Sequence, residues 1–251
     1  MNHCLRPDWP APPHVFACST YRHQGKSQEP FHSWNLATHV GDDPEAVADN
    51  RKLLTERLAL PAEPVWLDQV HGNHIIKLTS PSVDDIPRAD GSYSRVTGSV
   101  CAVLTADCLP VLITDREGTQ VAAVHAGWRG LAAGVIQQAI GLFDCPREEI
   151  LVWLGPAIGP QAFEVGEEVR SVFVEQLTAC ETSFIAQGDK KFLANIYQIA
   201  RQLLESIKVT AVFGGDRCTY SESDAFFSYR RQQQTGRMAS LIWMEDQKSP
   251  L

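Results

Sequence analysis

The chain has 251 residues, 44% of them hydrophobic and 21% charged, which suffices for a self-supporting core. A formal net charge of −8 argues against nucleic acid or an anionic membrane surface as the main partner, and leaves room for an anionic substrate in a local basic pocket. The N-terminal MNHCLRPDWPAPPH has no signal-like apolar core, and no apolar run approaches the roughly 20 residues of a membrane span. The 7 cysteines are irregularly spaced without a CxxC, which points to reduced thiols and a cytoplasmic protein.

In chain order, residues 14–20 read as a first strand and 21–30 as a polar loop. Asp42-Asp43-Pro44-Glu45 opens a helix with an acidic cap and a proline in the first turn. That helix runs to about residue 60, with Val47, Leu53, Leu54 and Leu58 on its apolar side, and Pro61 and Pro64 stop it. Residues 65–70 and 74–79 read as two strands joined by a hairpin turn at His71-Gly72-Asn73, and 80–89 as a loop. Three further strands are expected over 100–106, 111–114 and 121–125, then a helix from Gly130. A strand over 150–154 leads into a Gly/Pro-rich loop over 155–160. Helices over 165–178 and 192–207 and strands over 211–213 and 239–244 complete the chain. With no repeat, low-complexity tract or linker, the pattern predicts one α/β domain over 1–251, its core spanning about 14–246, with mixed sheets.

The chemistry concentrates between Cys101 and Gly134. Cys108 and His125 each fall at or near the end of an apolar strand, and His71 ends the run Val65-Trp66-Leu67-Asp68-Gln69-Val70. Strand ends are where α/β proteins place their sites. A His/Cys/His set with one open position suits catalytic zinc, which accepts thiolate and imidazole together. Copper suits the same donors. Two other readings compete: Cys108 as a buried hydrophobe, or Cys108 and His125 as a nucleophile–base pair without metal.

Gly127-Trp128-Arg129-Gly130 lies between strand and helix, where backbone N–H groups and Arg129 could cradle phosphate or carboxylate. The alternative is a surface ion pair at Arg129 with Trp128 in the core. Phe226-Phe227-Ser228-Tyr229-Arg230-Arg231 could line a pocket for a ring-bearing anion, with Arg230 a binding candidate, or could be a strand edge with solvated charges.

Blocks spread over nearly the whole chain carry a resemblance: HVGDDPEAVADNR, DQVHGNHI, RADG, TADCLPVLITD, VAAVHAGWRG, GPAIGPQAFEVGEEV and FFSYRRQQQTGRMASLIW. Together they resemble the YfiH family, also called the laccase-domain or "polyphenol oxidase" family, whose members are named as purine nucleoside phosphorylases. The resemblance implies a four-layer α/β/β/α sandwich with mixed sheets. It implies a zinc site at His71 in QVHG, Cys108 in ADCLP and His125 in HAGWRG. It also implies phosphorolysis of adenosine, inosine, guanosine or methylthioadenosine, adenosine deamination, or hydrolytic editing of peptidoglycan precursors. One departure from the family's R-x-G-G-x-S pattern is visible at Gln24, in Arg22-His23-Gln24-Gly25-Lys26-Ser27.

None of the 8 histidines forms H-x-H, so the multicopper cluster of a true laccase has no ligands here, and any oxidase activity would rest on one bound copper. The H-x-E and P-C-x-x-C signature of zinc deaminases is also absent.

The expectation is a zinc-dependent purine nucleoside phosphorylase, monomeric or weakly dimeric, acting on a small-molecule substrate with no nucleic acid or membrane partner. In it Arg129 holds phosphate, Asp107 is an acid/base candidate, and Asn35 and Gln69 contact substrate. The rivals are a hydrolase for a cell-wall precursor amide, a copper-dependent polyphenol oxidoreductase, and a non-enzymatic metal-binding or redox-partner protein.

Overall fold

Apolar strands dominate the middle of the chain, and the fold stacks them as two sheets. The computed structural model describes residues 3–82 and 85–246. Its first sheet has the order β1 (Cys4–Leu5), β2 (Val15–Thr20), β13 (Met238–Met244), β5 (Cys101–Thr105), paired antiparallel throughout. The second has the order β12 (Val212–Gly214), β8 (Ile150–Leu154), β6 (Leu109–Asp115), β7 (Val121–Ala126), β4 (Gly91–Ser94), β3 (Ile75–Leu78). Its outer pairs, β12–β8 and β3–β4, are parallel and its inner pairs antiparallel, so the sheet is mixed.

The two sheets face each other across a core that includes Val103 and Ile242 from the first and Leu112, Ala123 and Trp153 from the second. Helix α1 (Pro44–Leu58) covers the outer face of the first sheet, packing Leu54 into a cluster with Ala102, Leu104 and Leu241. On the outer face of the second sheet, Val111, Ile113 and Val124 meet residues of α3 (Val135–Ile140) and α5 (Ile196–Ser206), including Ile136, Ile140 and Leu203. The result is the four-layer α/β/β/α sandwich that the resemblance implied. Strands β6 and β7 are covered on both faces, which is why LPVLITD and VAAVHA read as near-continuous apolar runs instead of alternating.

Helix α1 begins as expected: the Asp43 carboxylate accepts the Glu45 N–H at 3.0 Å, and Pro44 occupies the first turn. Other elements differ. Residues 65–70 form no strand and no hairpin with the following segment. Val65 and Asp68 make single parallel bridges to Cys101 and Arg88, while β3 pairs with β4 instead. The Gln69 side chain takes both backbone groups of Leu104, at 2.8 and 2.7 Å, and the chain then turns at His71 with φ 60°.

The helix expected from Gly130 starts earlier and is broken in two. Helix α2 (Trp128–Ala132) ends before Gly134, whose left-handed φ of 82° separates it from α3. β4 was missed because GSYS carries no apolar signal, although every residue in it is buried. Also unforeseen is a small sheet of β10 (Phe184–Gly188), β11 (Lys191–Ala194) and β9 (Glu164–Gly166). β11 occupies the expected start of the 192–207 helix, which begins at Ile196, where the Asn195 side chain caps the Gln198 N–H. The helix expected over 165–178 is α4 (Glu167–Gln176). Residues 83 and 84 of the loop expected over 80–89 lie outside the described residues. At Gln24, where the family pattern has glycine, the backbone holds φ 74°, the conformation glycine adopts most readily.

Candidate metal centre and adjoining cavity

Cys108 sits in the turn between β5 and β6, and His125 is the penultimate residue of β7. The β6–β7 register sets Leu109 opposite Ala126 and Pro110 opposite His125, so the turn residue Cys108 lands beside the end of β7. His71 comes from the irregular segment after residue 68, not from a strand end. It is exposed, Cys108 is half-buried and His125 is 2% exposed.

The three ligand atoms all lie within 4.8 Å of one another, with His71 Nε2 3.9 Å from Cys108 Sγ. Metal–ligand bonds of about 2.0 Å to nitrogen and 2.3 Å to sulfur give tetrahedral edges of roughly 3.3–3.6 Å. The observed separations are somewhat wider. Gly127 leaves room for the two ligands: a Cβ at this position would lie 3.0 Å from Cys108 Sγ and 3.2 Å from His71 Cδ2. Among the described residues this is the single group of three His, Cys, Asp or Glu side chains that could hold a metal.

A fourth residue, to which sequence reasoning assigned no role, organises the set. The buried Asp90 carboxylate accepts His125 Nδ1 at 2.9 Å, the His71 N–H at 2.8 Å, the Gly72 N–H at 2.7 Å and the Val70 N–H at 3.3 Å. It orients the His125 ring with Nε2 free and pins the loop that carries His71. This is the carboxylate–histidine support found behind metal-ligating imidazoles. Asp90 lies in RADG, just before β4, and nothing in its local sequence distinguishes it from a turn residue.

Burial disfavours charge at both inner ligands, but each offsets it for the other. Burial alone would raise the Cys108 thiol; His125 and then His71 bring it down to about 6. Burial alone would lower His125; Cys108 and then Asp90 raise it to about 9. A thiolate, the form that binds metals and attacks electrophiles, is therefore available at neutral pH. Asp90 itself would be raised by burial, and its bonds to His125 and to the Gly72 and His71 N–H groups hold it below the usual carboxylate range.

The three residues line a cavity of about 390 Å³, with Trp128, Phe163 and Tyr229 as aromatic walls and His39, Arg230 and Arg237 as basic groups. Gln69 and Asp107 also line it, but their polar atoms are engaged. Gln69 binds Leu104, and Asp107 accepts the Thr219 hydroxyl at 2.6 Å and the Arg230 N–H at 2.6 Å. Asp107 thus ties three loops together. The Arg230 guanidinium donates to the Ala162 and Glu164 carbonyls.

Two candidates lie outside the cavity lining. Asn35 is fully buried, bonded to Ala37, Asp42 and the Arg237 N–H. Arg129 is exposed, with its guanidinium 4.5 Å from the Trp128 ring centre. The helix expected behind an anion at Arg129 is only 5 residues long. Arg237, whose NH1 donates to the Thr235 and Gly236 carbonyls, is the arginine that sequence reasoning missed.

These features define a mixed α/β scaffold with a candidate metal site. The family model described as "Multi-copper polyphenol oxidoreductase laccase" matches residues 16–245, and the chain belongs to this laccase-domain family. It is 54% identical to "Purine nucleoside phosphorylase YfiH" of Shigella flexneri, covering 97% of this chain and 100% of that relative. It is 53% identical to "Purine nucleoside phosphorylase PA4543" of Pseudomonas aeruginosa, covering 98% and 100%. The crystal structure of Neisseria meningitidis protein NMB0706 superposes with a TM-score of 0.93 at 46% identity, covering 98% of this chain and 100% of that one. That of YlmD from Geobacillus stearothermophilus gives 0.92 at 31% identity, covering 98% and 97%. Among the described residues no helix is long and apolar enough to cross a membrane.

Proposed function

We propose that this chain is a metal-dependent purine nucleoside phosphorylase, with Zn²⁺ held by His71, Cys108 and His125. The observation that carries this reading is the convergence of the three ligand atoms within 4.8 Å on the wall of a cavity with aromatic and basic lining. Zinc is favoured over copper because a blue-copper set adds a weak axial methionine and no methionine among the described residues lines this cavity, whereas catalytic zinc keeps that position for water or substrate. When bound, the ion supplies a Lewis acid and lowers the pKa of a coordinated water. The names of the relatives supply the reaction class.

In this reading Asp90 keeps His125 in the tautomer that presents Nε2. Trp128, Phe163 and Tyr229 flank the purine ring and exclude water from it. Arg237 takes the phosphate role once expected of Arg129, because it lines the cavity and Arg129 does not. The bound phosphate oxygen attacks C1′ of the ribose as the C1′–N9 bond breaks, and the base leaves with the bonding pair and takes up a proton, balanced by the one that hydrogen phosphate gives up. Asp107 acts by holding the Arg230 and Thr219 loops in place.

The Cys108 thiolate supports a second reading, direct attack by sulfur on a carbonyl of an amide substrate. Chelation separates the two, since a sulfur nucleophile keeps working without metal.

The test joins metal analysis with steady-state kinetics on one preparation. Wild-type protein is expected to hold about one zinc and to release purine base only with phosphate present. Cys108→Ala should lose most of the metal. Arg237→Lys keeps the charge but loses the planar fork. Its KM for phosphate should rise about tenfold, equivalent to about 1.4 kcal/mol, at unchanged zinc content. Failure of zinc-loaded protein to release base in a phosphate-dependent manner would overturn the reading.

A further inference from the structure

We propose that Cys4 and Cys18 form an oxidisable dithiol, which hydroperoxides convert to an intrachain disulfide through a second cavity at the β1 edge of the four-stranded sheet. In the antiparallel β1–β2 pair Cys4 stands opposite Thr20, so Cys18, two residues along, lies diagonally from Cys4 on the same face. Both side chains enter the cluster beneath α1. Both also line a cavity of about 430 Å³ together with Arg6, Trp9 and Trp243. No residue lining this cavity lines the one beside His71, Cys108 and His125.

The two sulfurs are unequal. Cys18 and Arg6 beside it favour a thiolate at Cys4 against the cost of burial, while Cys18 is pushed well up by the neighbouring Cys4 and by its burial. Cys4 is therefore the attacking thiol and Cys18 the resolving one. β1 has only 2 residues and lies at the sheet edge, so Cys4 can shift to the spacing that a disulfide needs. Buried Cys101 differs: burial pushes it up to about 12, and it lines neither cavity.

With hydrogen peroxide, the Cys4 thiolate attacks one oxygen. The O–O bond breaks, an S–O bond forms, and hydroxide leaves and takes a proton, giving water and a Cys4 sulfenic acid. The Cys18 sulfur then attacks the Cys4 sulfur, the S–O bond breaks, and hydroxide leaves with the Cys18 proton as a second water. Two thiols are oxidised by two electrons in total, and the peroxide is reduced to two waters.

The test uses the full chain, zinc-loaded, reduced, desalted and exposed to hydrogen peroxide, followed by alkylation and non-reducing peptide mapping. The expected result is the loss of two alkylatable thiols per chain and a covalent link between the Cys4 and Cys18 peptides, with Cys101 and Cys180 still alkylated. In Cys18→Ser, Cys4 should be trapped as a sulfenic acid by dimedone, and in Cys4→Ser, Cys18 should remain a thiol. If Cys18→Ser fails to fold, the wild-type map decides alone. A Cys4 that stays alkylatable, links to another chain, or oxidises no faster than Cys101 would overturn the proposal.

Discussion

Asp90→Asn tests the centre most directly, because one buried carboxylate serves two candidate metal ligands. The wild-type oxygens accept four donors: His125 Nδ1 and the N–H groups of His71, Gly72 and Val70. Asparagine keeps one acceptor oxygen. If that oxygen stays with His125 and His71, the new NH₂ faces the Gly72 and Val70 N–H groups, donor against donor. A buried N–H left without a partner costs about 1–3 kcal/mol. Loss of a carboxylate behind a metal-ligating histidine typically lowers metal affinity about 10–100-fold, or about 1.4–2.8 kcal/mol. The first cost falls on the fold with or without metal, the second on metal binding. Zinc affinity, measured by competition with a chromogenic chelator, should therefore fall about 10–100-fold. The metal-free protein should melt several degrees lower, since about 1 kcal/mol shifts a chain of this size by about 2–4 °C. Zinc affinity within about twofold of wild type, against the 10–100-fold expected, would mean that neither the His125 ring nor the His71 loop depends on Asp90.

Three further outcomes are expected. Gly127→Ala suits the backbone at φ −63° but sets a methyl 3.0 Å from Cys108 Sγ, so zinc affinity should drop while the melting temperature of metal-free protein changes little. Arg129→Lys should leave the KM for phosphate unchanged in phosphorolysis kinetics, because Arg129 lies outside the cavity lining. Glu222 would be raised by burial, but its bonds to Arg217 and the Cys218 N–H hold it below the usual carboxylate range. A depressed folded pKa stabilises above the unfolded glutamate value of about 4.3 and is lost as pH falls through the folded one. The melting-temperature gap between wild type and Glu222→Gln should therefore be constant near neutrality and shrink in acid.

Much of this protein was legible from local sequence. The central strands announced themselves because sheets covered on both faces demand unbroken apolar runs, and α1 did so through its Asp43 cap and Pro44. His125 stood out because an imidazole inside VAAVHA needs a partner when buried. Local pattern failed where tertiary contacts replaced it. Residues 65–70 look like a strand, yet Gln69 binds Leu104 through its side chain and His71 turns at a positive φ. β4 is buried without an apolar pattern, because Gly91, Ser92 and Ser94 are small and the buried Tyr93 hydroxyl donates to Gln120. The same limit applies to the site. Sequence named the three ligand candidates by residue type, but their meeting depends on the β6–β7 register and on Asp90, 35 residues from His125. Which arginine enters the cavity was likewise undecidable from the chain, since Arg129 and Arg237 carry the same charge. Packing turns Arg129 onto Trp128 outside the cavity and places Arg237 in its lining, and only the folded arrangement of the distant segments decides that.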